Sequence, residues 1–393
     1  MRLRHPDGTI LHLAHCTNVH PAEDLAGVLR QLDTCAEPVR ARLGTDRLGL
    51  GLWLAREVSR ELAADRGATD RLRRELTARG LETVTLNGFP YRGFHEPVVK
   101  KAVYRPDWTD PERLAHTLDL ARVLAALLPD DAARGSISTL PLGWRTPWSA
   151  RHHDAALRHL DRLAEGLGKL AVETGREIRV GLEPEPGCAV ATTADACARL
   201  GGRIDPRHLG VCLDACHLAV DFEEPGPALR RLAEAGLPVV KAQLSAALEA
   251  GEPARAEVRR ALAAFAEPRF LHQTRAAGAG PAPHGWDDLP LALRDTGTAY
   301  DPAGPWRVHF HIPVHADPVP PLSSTRPVLD RTIRELVAGP RAVTDHLEVE
   351  TYTWSVLPPA GRPADADGLA DGIAAELAWT RDRLVAAGLE ALA

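Results

Sequence analysis

Aromatic residues make up only 5% of the 393, and methionine occurs once. Any core must therefore be built mainly from aliphatic side chains. Cysteine is sparse as well: the six, at 16, 35, 188, 197, 212 and 216, form no C-x-x-C pair. A disulfide scaffold and a zinc ribbon are thereby excluded, and reduced thiols are expected. With a net charge of −6 and no dense basic run, the chain lacks the electrostatic footprint of a nucleic-acid binder. It contains no stretch of roughly 18 apolar residues, and "MRLRHPDGTILHLAH" has no apolar segment of signal-peptide type. Neither membrane insertion nor a signal peptide is expected, which leaves a cytoplasmic location as the default. There is no G-x-S-x-G elbow, no H-E-x-x-H pair and no dinucleotide fingerprint; "GLGLW" (49–53) lies inside a strand pattern, not at a strand-to-helix turn.

What is present is an alternation of short apolar runs with long Ala/Leu/Arg-rich amphipathic stretches. Strands are expected at 10–16, 47–54, 82–88, 135–140, 178–184, 208–214, 238–245 and 346–353. Helical patterns fall between them, including 57–80, stopped by Gly80, and 153–175, stopped by Gly175. Eight β-to-α units predict an α/β fold of the (β/α)8 TIM-barrel class, one domain over 1–393. Two segments break the rhythm. The loop at 87–108 is long and aromatic, and an insertion over 246–325 separates the seventh strand from the eighth. The insertion holds a helical pattern (252–266), strand-like runs at 269–275 and 306–315, and a Gly/Ala/Pro-rich stretch at 276–285. From 365 onward an amphipathic helix is expected to close the barrel.

In such a barrel, chemistry sits at the carboxyl ends of the strands and in the loops beyond them. Reading each strand to that end collects His15 with Asn18, Asn87, Glu183 with Glu185, Asp214 with His217, Gln243 and Glu350. Alone, "GLEPEPG" reads equally as a charged loop lip, and the D-x-x-H of Asp214 and His217 as a capping aspartate followed by a helical histidine. Together, carboxylates converging on a low-dielectric mouth repel one another unless a cation lies between them. Glu183, Asp214, Glu350 and the Gln243 carbonyl make an oxygen-rich cage suited to Mg2+, Mn2+ or Co2+, with nearby imidazole admitting Zn2+ or Fe2+.

The insertion adds "VHFHIPVH", whose His309 and His311 share a face. They read as ligands of a second metal, as acid/base or substrate-contacting groups, or as surface histidines of a hairpin; His311 is placed with the metal ligands. Arg275 is a candidate for holding a substrate anion, with His272 beside it as a lesser candidate. Lys100, Lys101 and Arg105 read either as a phosphate site or as solvated lip charges. Cys212 lies a strand step below the mouth and is expected to pack in the core. Cys16 and His15 are adjacent on a strand and face opposite ways, which argues against a nucleophilic dyad.

The set "GLEPEPG", "CLDACH", "VKAQLS" and "VETYTW" resembles the xylose-isomerase-like TIM barrels, the superfamily of sugar isomerases, sugar epimerases and endonuclease IV. Further words, "HCTNVHP", "LNGFPYRGFH", "VYRPDW", "HFHIPVH" and "LEVETYTW", resemble the EboE family of metabolite-traffic proteins. The superfamily pattern implies Glu183, Asp214 and Glu350 as metal ligands and His217 as their companion. Where many members carry histidine on the seventh strand, this chain has Gln243. The resemblance implies a cytoplasmic enzyme handling a cyclitol-like or prenylated metabolite. The expected activity is a divalent-metal-dependent isomerase or epimerase on a sugar, cyclitol or other polyhydroxylated compound. Catalysis is expected from Glu183, Glu350 and His217, with Asn87, Tyr91, Trp354, His309 and Arg275 around the substrate; an oligomer is compatible with it. The alternatives are a multinuclear phosphoester hydrolase of endonuclease IV type acting on a small molecule, and a non-catalytic metabolite-binding barrel.

Overall fold

The computed structural model describes residues 1–278, 282–295 and 303–392, so part of the Gly/Ala/Pro-rich stretch lies outside the described residues. Eight parallel strands close into a barrel: β1 (Ile10–Cys16), β2 (Leu48–Trp53), β3 (Leu81–Asn87), β4 (Arg134–Thr139), β5 (Glu177–Leu182), β6 (Leu209–Asp214), β7 (Val239–Leu244) and β8 (His346–Val349). Each pairs with its successor, and β8 pairs back onto β1 in a register running from His346 opposite His12 to Val349 opposite His15. Closure removes the sheet edges. Because helices cover the outer wall and side chains fill the interior, almost every strand residue is buried.

The helices follow local chemistry. Ala150–Thr174 begins at a Ser149 capping box and stops at Gly175, whose φ of 68° is the left-handed conformation that glycine takes freely. The expected helix over 57–80 is two helices, Arg56–Ala64 and Arg66–Ala78. Asp65 divides them, since its extended backbone and a side chain accepting from the Gly67 and Ala68 amides make it an N-cap. The final helix, Ala366–Ala386, packs on the outside; closure comes from the β8–β1 hydrogen bonds. The last strand stops at Val349, short of the expected 353, and continues into a 3-10 turn over Tyr352–Val356.

The insertion folds into its own antiparallel sheet, ordered His284–Trp286, Thr274–Ala276, Trp306–His311, Ala247–Ala250, Ser323–Ser324. Only two residues of the expected 269–275 strand, Thr274 and Arg275, belong to a ladder, which runs on to Ala276. Pairing of Trp306–His311 with Ala247–Ala250 carries a register shift between Val308 and His311, an irregularity of the kind that re-aims side chains. The third-strand loop meets this insertion through two backbone bonds, from the Val99 and Lys100 amides to the Arg269 carbonyl at 2.8 and 2.9 Å.

Inside the barrel, beneath the mouth, Lys241 of β7 and Glu348 of β8 form an ion pair with no exposed surface on either side chain. Gly51 on β2 makes room for it, since a Cβ there would fall on the Glu348 carboxylate. Among the described residues no helix is long and apolar enough to cross a membrane.

Candidate metal centre

The carboxyl ends of β5, β6 and β8 bring one oxygen each from Glu183, Asp214 and Glu350 to within 4.8 Å of one another. All three residues are buried. Local structure dictates each placement. Pro184 ends the β5 ladder directly after Glu183, whose amide still bonds to the Thr139 carbonyl at 3.0 Å. Asp214 ends β6 and caps the helix Ala215–Val220, its Oδ1 accepting from the His217 amide at 2.9 Å and from the Ser245 hydroxyl at 2.8 Å. Its Oδ2 has no protein partner. The capping and ligand readings of this aspartate are therefore compatible: one oxygen serves the helix, the other faces the cluster. Glu350 Oε1 accepts from Asn18 Nδ2 at 2.7 Å and Asn87 Nδ2 at 2.8 Å.

Glu183 and Glu350 are both held well above the ordinary carboxylate range. For Glu183 the causes are burial, then the charges of Glu350 and Asp214; for Glu350 they are burial, then Asp214 and Glu348. Buried carboxylates in mutual repulsion are costly unless a cation offsets them. Several buried polar atoms here have no partner among the described residues: Glu183 Oε2, Asp214 Oδ2, His311 Nε2, and both Oε1 and Nε2 of Gln243. Gln243 is fully buried on β7, opposite Asp214 in one ladder and Glu348 in the other. This oxygen-rich donor set fits a divalent cation.

Three imidazoles stand beside the carboxylates, each with Nδ1 committed to a carbonyl oxygen. His217 Nδ1 donates to Pro184 O at 2.9 Å, His309 Nδ1 to Gln273 Oε1 at 2.9 Å, and His311 Nδ1 to Glu350 O at 2.7 Å. The Gln273 orientation is fixed by its Nε2, which donates to the Pro186 carbonyl at 2.8 Å. The three Nε2 atoms therefore carry lone pairs, and those of His217 and His309 face each other at 3.1 Å. Burial holds His309 well below its ordinary pKa and lowers His311 to about 4, so both imidazoles are neutral near pH 7. Asp214, His217 and His311 form a second group within 4.8 Å, sharing Asp214 with the first.

The pocket above is lined by Glu183, Glu350, His217, His309 and His311 together with Phe94, Tyr104, Phe270 and Tyr352. Glu185 lines it too, its Oε1 accepting from Tyr104 Oη at 2.6 Å. Asn87 reaches the pocket, but its amide is spent on Glu350. Other expected residues lie elsewhere. Tyr91 donates to Glu112 at 3.1 Å and meets His116 edge-on, and it does not line the pocket. Trp354 faces the final helix and donates to Glu376 Oε2 at 3.1 Å. Arg275 is neutralised by Asp221 at 2.9 Å, and His272 Nε2 is hydrogen-bonded to Glu267 Oε1 at 2.8 Å. Lys100, Lys101 and Arg105 pair with Asp288, Asp287 and Asp107, so they do not form a free anion cradle. His15 points away from the mouth, since Cys16 is the inward residue, its sulfur 3.8 Å from Glu350 Oε1. Cys212 is fully buried within its strand.

Sequence reasoning did not single out Tyr104, Gln273, Tyr352 or Ser245. Tyr104 and Gln273 sit in loops whose return to the mouth no local pattern signals. Ser245 follows Gln243 by two residues, and that period-2 spacing was a usable signal.

The architecture is a closed (β/α)8 barrel with a cluster of buried carboxylates and imidazoles at its carboxyl end. The sequence matches the xylose isomerase-like TIM barrel family model over residues 41–298, and the chain belongs to that family. No curated protein matches it. Among solved structures, it is similar to a D-allulose 3-epimerase from Methylomonas sp. (14% identity, TM-score 0.51, covering 97% of this chain and 100% of that one). It is also similar to an L-ribulose 3-epimerase (14%, TM-score 0.51, 96% and 95%). A third is a xylose isomerase-like TIM barrel protein from Mycobacterium smegmatis in complex with magnesium (13%, TM-score 0.50, 95% and 98%). Likeness at this identity shows the fold.

Proposed function

We propose that this chain is a divalent-metal-dependent isomerase or epimerase acting on a sugar, cyclitol or related polyhydroxylated metabolite. The observation that carries the reading is the convergence of Glu183, Asp214 and Glu350, from three strands, within 4.8 Å. Glu183, Asp214, Gln243 and Glu350 would hold the ion, which supplies Lewis-acid polarisation of a substrate carbonyl when bound. Manganese, magnesium or cobalt suits this oxygen-rich set best. The remaining steps belong to the protein. A carboxylate of the Glu183/Glu350 pair removes the proton from the carbon beside the carbonyl, and its protonated opposite number returns one to the other face of that carbon, which is epimerisation. Return to the former carbonyl carbon, with the hydroxyl proton passing between the two substrate oxygens, is isomerisation. His217, its Nδ1 tied to Pro184, offers Nε2 to a substrate hydroxyl. The Phe94 and Phe270 rings supply apolar wall around a monosaccharide-sized ligand.

The names of the two epimerase neighbours and the magnesium in the third support this class. The narrower likeness to EboE-type metabolite-traffic proteins, and a cytoplasmic setting, belong to the same reading. The decisive experiment incubates metal-free protein with Mn2+, Mg2+ or Co2+ and a panel of ketoses, aldoses and inosose-type cyclitols in D2O, following solvent deuterium at carbon. Isomerisation or epimerisation with exchange is expected, and its loss in Glu350→Gln. A second reading rests on His217 and His311, which lie with Asp214 within 4.8 Å and offer a second cation position sharing that aspartate. That arrangement favours hydrolysis of a small phosphoester. Two metals per chain together with phosphatase activity would establish it; tight sugar binding without turnover would leave a binding barrel.

A further inference from the structure

Outside the barrel wall, on the far side of β1 from the pocket, three side chains capable of binding metal meet. His15 on β1, His20 after the turn Thr17–Val19, and Cys35 place Nε2, Nε2 and Sγ within 4.8 Å of one another, and all three residues are buried. Cys35 sits in a five-residue π-helical stretch, Leu32–Ala36, between the helices Leu25–Gln31 and Glu37–Leu43. Such single-turn irregularities recur at functional sites. The thiol is free and forms no hydrogen bond with any described residue.

We infer that His15, His20 and Cys35 form a second metal site, for a borderline-soft divalent ion such as zinc, chemically distinct from the oxygen cage. The geometry is specific. Nitrogens about 2.0–2.1 Å from a tetrahedral zinc lie about 3.3–3.4 Å apart, and His15 Nε2 and His20 Nε2 are 3.3 Å apart. On the same tetrahedron a thiolate sulfur stands about 3.6 Å from each nitrogen; the Cys35 sulfur, within 4.8 Å of both imidazoles, would be the third ligand and leave the fourth position to water. Two imidazole nitrogens and a thiolate select zinc over magnesium or manganese, which the carboxylate cage prefers. Burial keeps the unligated imidazoles neutral, with His20 lowered to about 4, and pushes the Cys35 thiol up to about 12. Zinc binding therefore releases the thiol proton to solvent while the two imidazoles contribute existing lone pairs.

The site has a consequence for the pocket. The His20 amide closes the Thr17–Val19 turn on the Thr17 carbonyl at 3.0 Å, and Asn18 within that turn donates to Glu350. Zinc on His20 would pin the turn that positions one hydrogen-bond donor to a proposed ligand of the main centre.

The test titrates metal-free full-length chain with Co2+ and reads the thiolate-to-cobalt charge-transfer band. The Cys216 thiol lies near His309 and His311, so the variants must separate two thiols. Because the oxygen cage also takes cobalt, the expected result is a band whose full intensity corresponds to one thiolate-bound cobalt per chain when both sites are filled, displaced by zinc, lost in Cys35→Ser and retained in Cys216→Ser. His20→Asn, which alters a residue outside helix and strand, is expected to lose it too, and decides the matter should Cys35→Ser fail to fold. Absence of any thiolate band, or a band that survives Cys35→Ser or His20→Asn, overturns the inference and leaves a hydrogen-bonded histidine pair beside a packed cysteine.

Discussion

Replacing Glu350 by glutamine should move stability and metal binding in opposite directions. The carboxylate oxygens of Glu183, Asp214 and Glu350 lie within 4.8 Å of each other. At that distance, with an effective dielectric constant near 20, each ionised pair repels by roughly 3.5 kcal/mol. Burial raises Glu350 well above the ordinary carboxylate range, so without metal its contribution to stability is intact below about pH 4.5 and is lost as pH rises. Glutamine removes that penalty, and its carbonyl oxygen can still accept from Asn18 and Asn87. In chelator at neutral pH, Glu350→Gln should therefore melt no lower than the parent and up to about 4 °C higher. Manganese at a hundredfold excess over its Kd should add about 2.7 kcal/mol to the parent, about 3 °C for a chain of 393 residues. The variant should show no such gain. Calorimetric melting with and without manganese, plus metal analysis of the dialysed proteins, checks both halves. A variant that melts several degrees lower in chelator, or that still gains stability from manganese, would refute a repelling carboxylate cluster completed by a cation.

Other expectations follow from the same geometry. Lys241→Met strands Glu348 as a buried unpaired carboxylate and should cost about 3–5 kcal/mol in urea unfolding, with Lys241→Met/Glu348→Leu recovering most of it; equal losses in the single and double variants would contradict this. Asn87→Ala deletes one of two amide donors to Glu350, and should weaken manganese affinity by about 10–100-fold while leaving the fold intact, as measured by chelator competition. Glu376, accepting from Thr351, Val314 and Trp354, is raised by burial to about 7. The unfolded chain ionises it first, so its contribution is present below about pH 4.5 and falls by about 3 kcal/mol as pH rises through 7. Glu376→Gln should flatten that part of the stability-versus-pH curve, and an unchanged slope between pH 5 and 7.5 would refute the assignment.

The barrel was legible because its strands are short apolar runs whose ends carry acids and amides. Glu183, Asp214 and Glu350 could be aligned by strand period alone, since period and mouth position are both local properties. What escaped lies mostly in the loops beyond the strands. Nothing near Tyr91 or Trp354 indicates which side of its loop will face the pocket. Tyr91 turns out to Glu112, and Trp354 leans on Glu376 of the final helix. The division at Asp65 escaped because its capping competes with a helical pattern that continues on both sides. His15 illustrates the cost of one strand step: reading it as the last inward residue reverses the face, which Cys16 occupies instead.

The third-strand loop and the insertion are joined through the Arg269 carbonyl, which both the Val99 and Lys100 amides contact. A roof stitched main chain to main chain behaves as one plate. Widening the doorway then requires separating two chain segments together, so aperture is fixed largely when the protein folds. For the proposed reaction, a molecule larger than the aperture would present only a free end to the acids below.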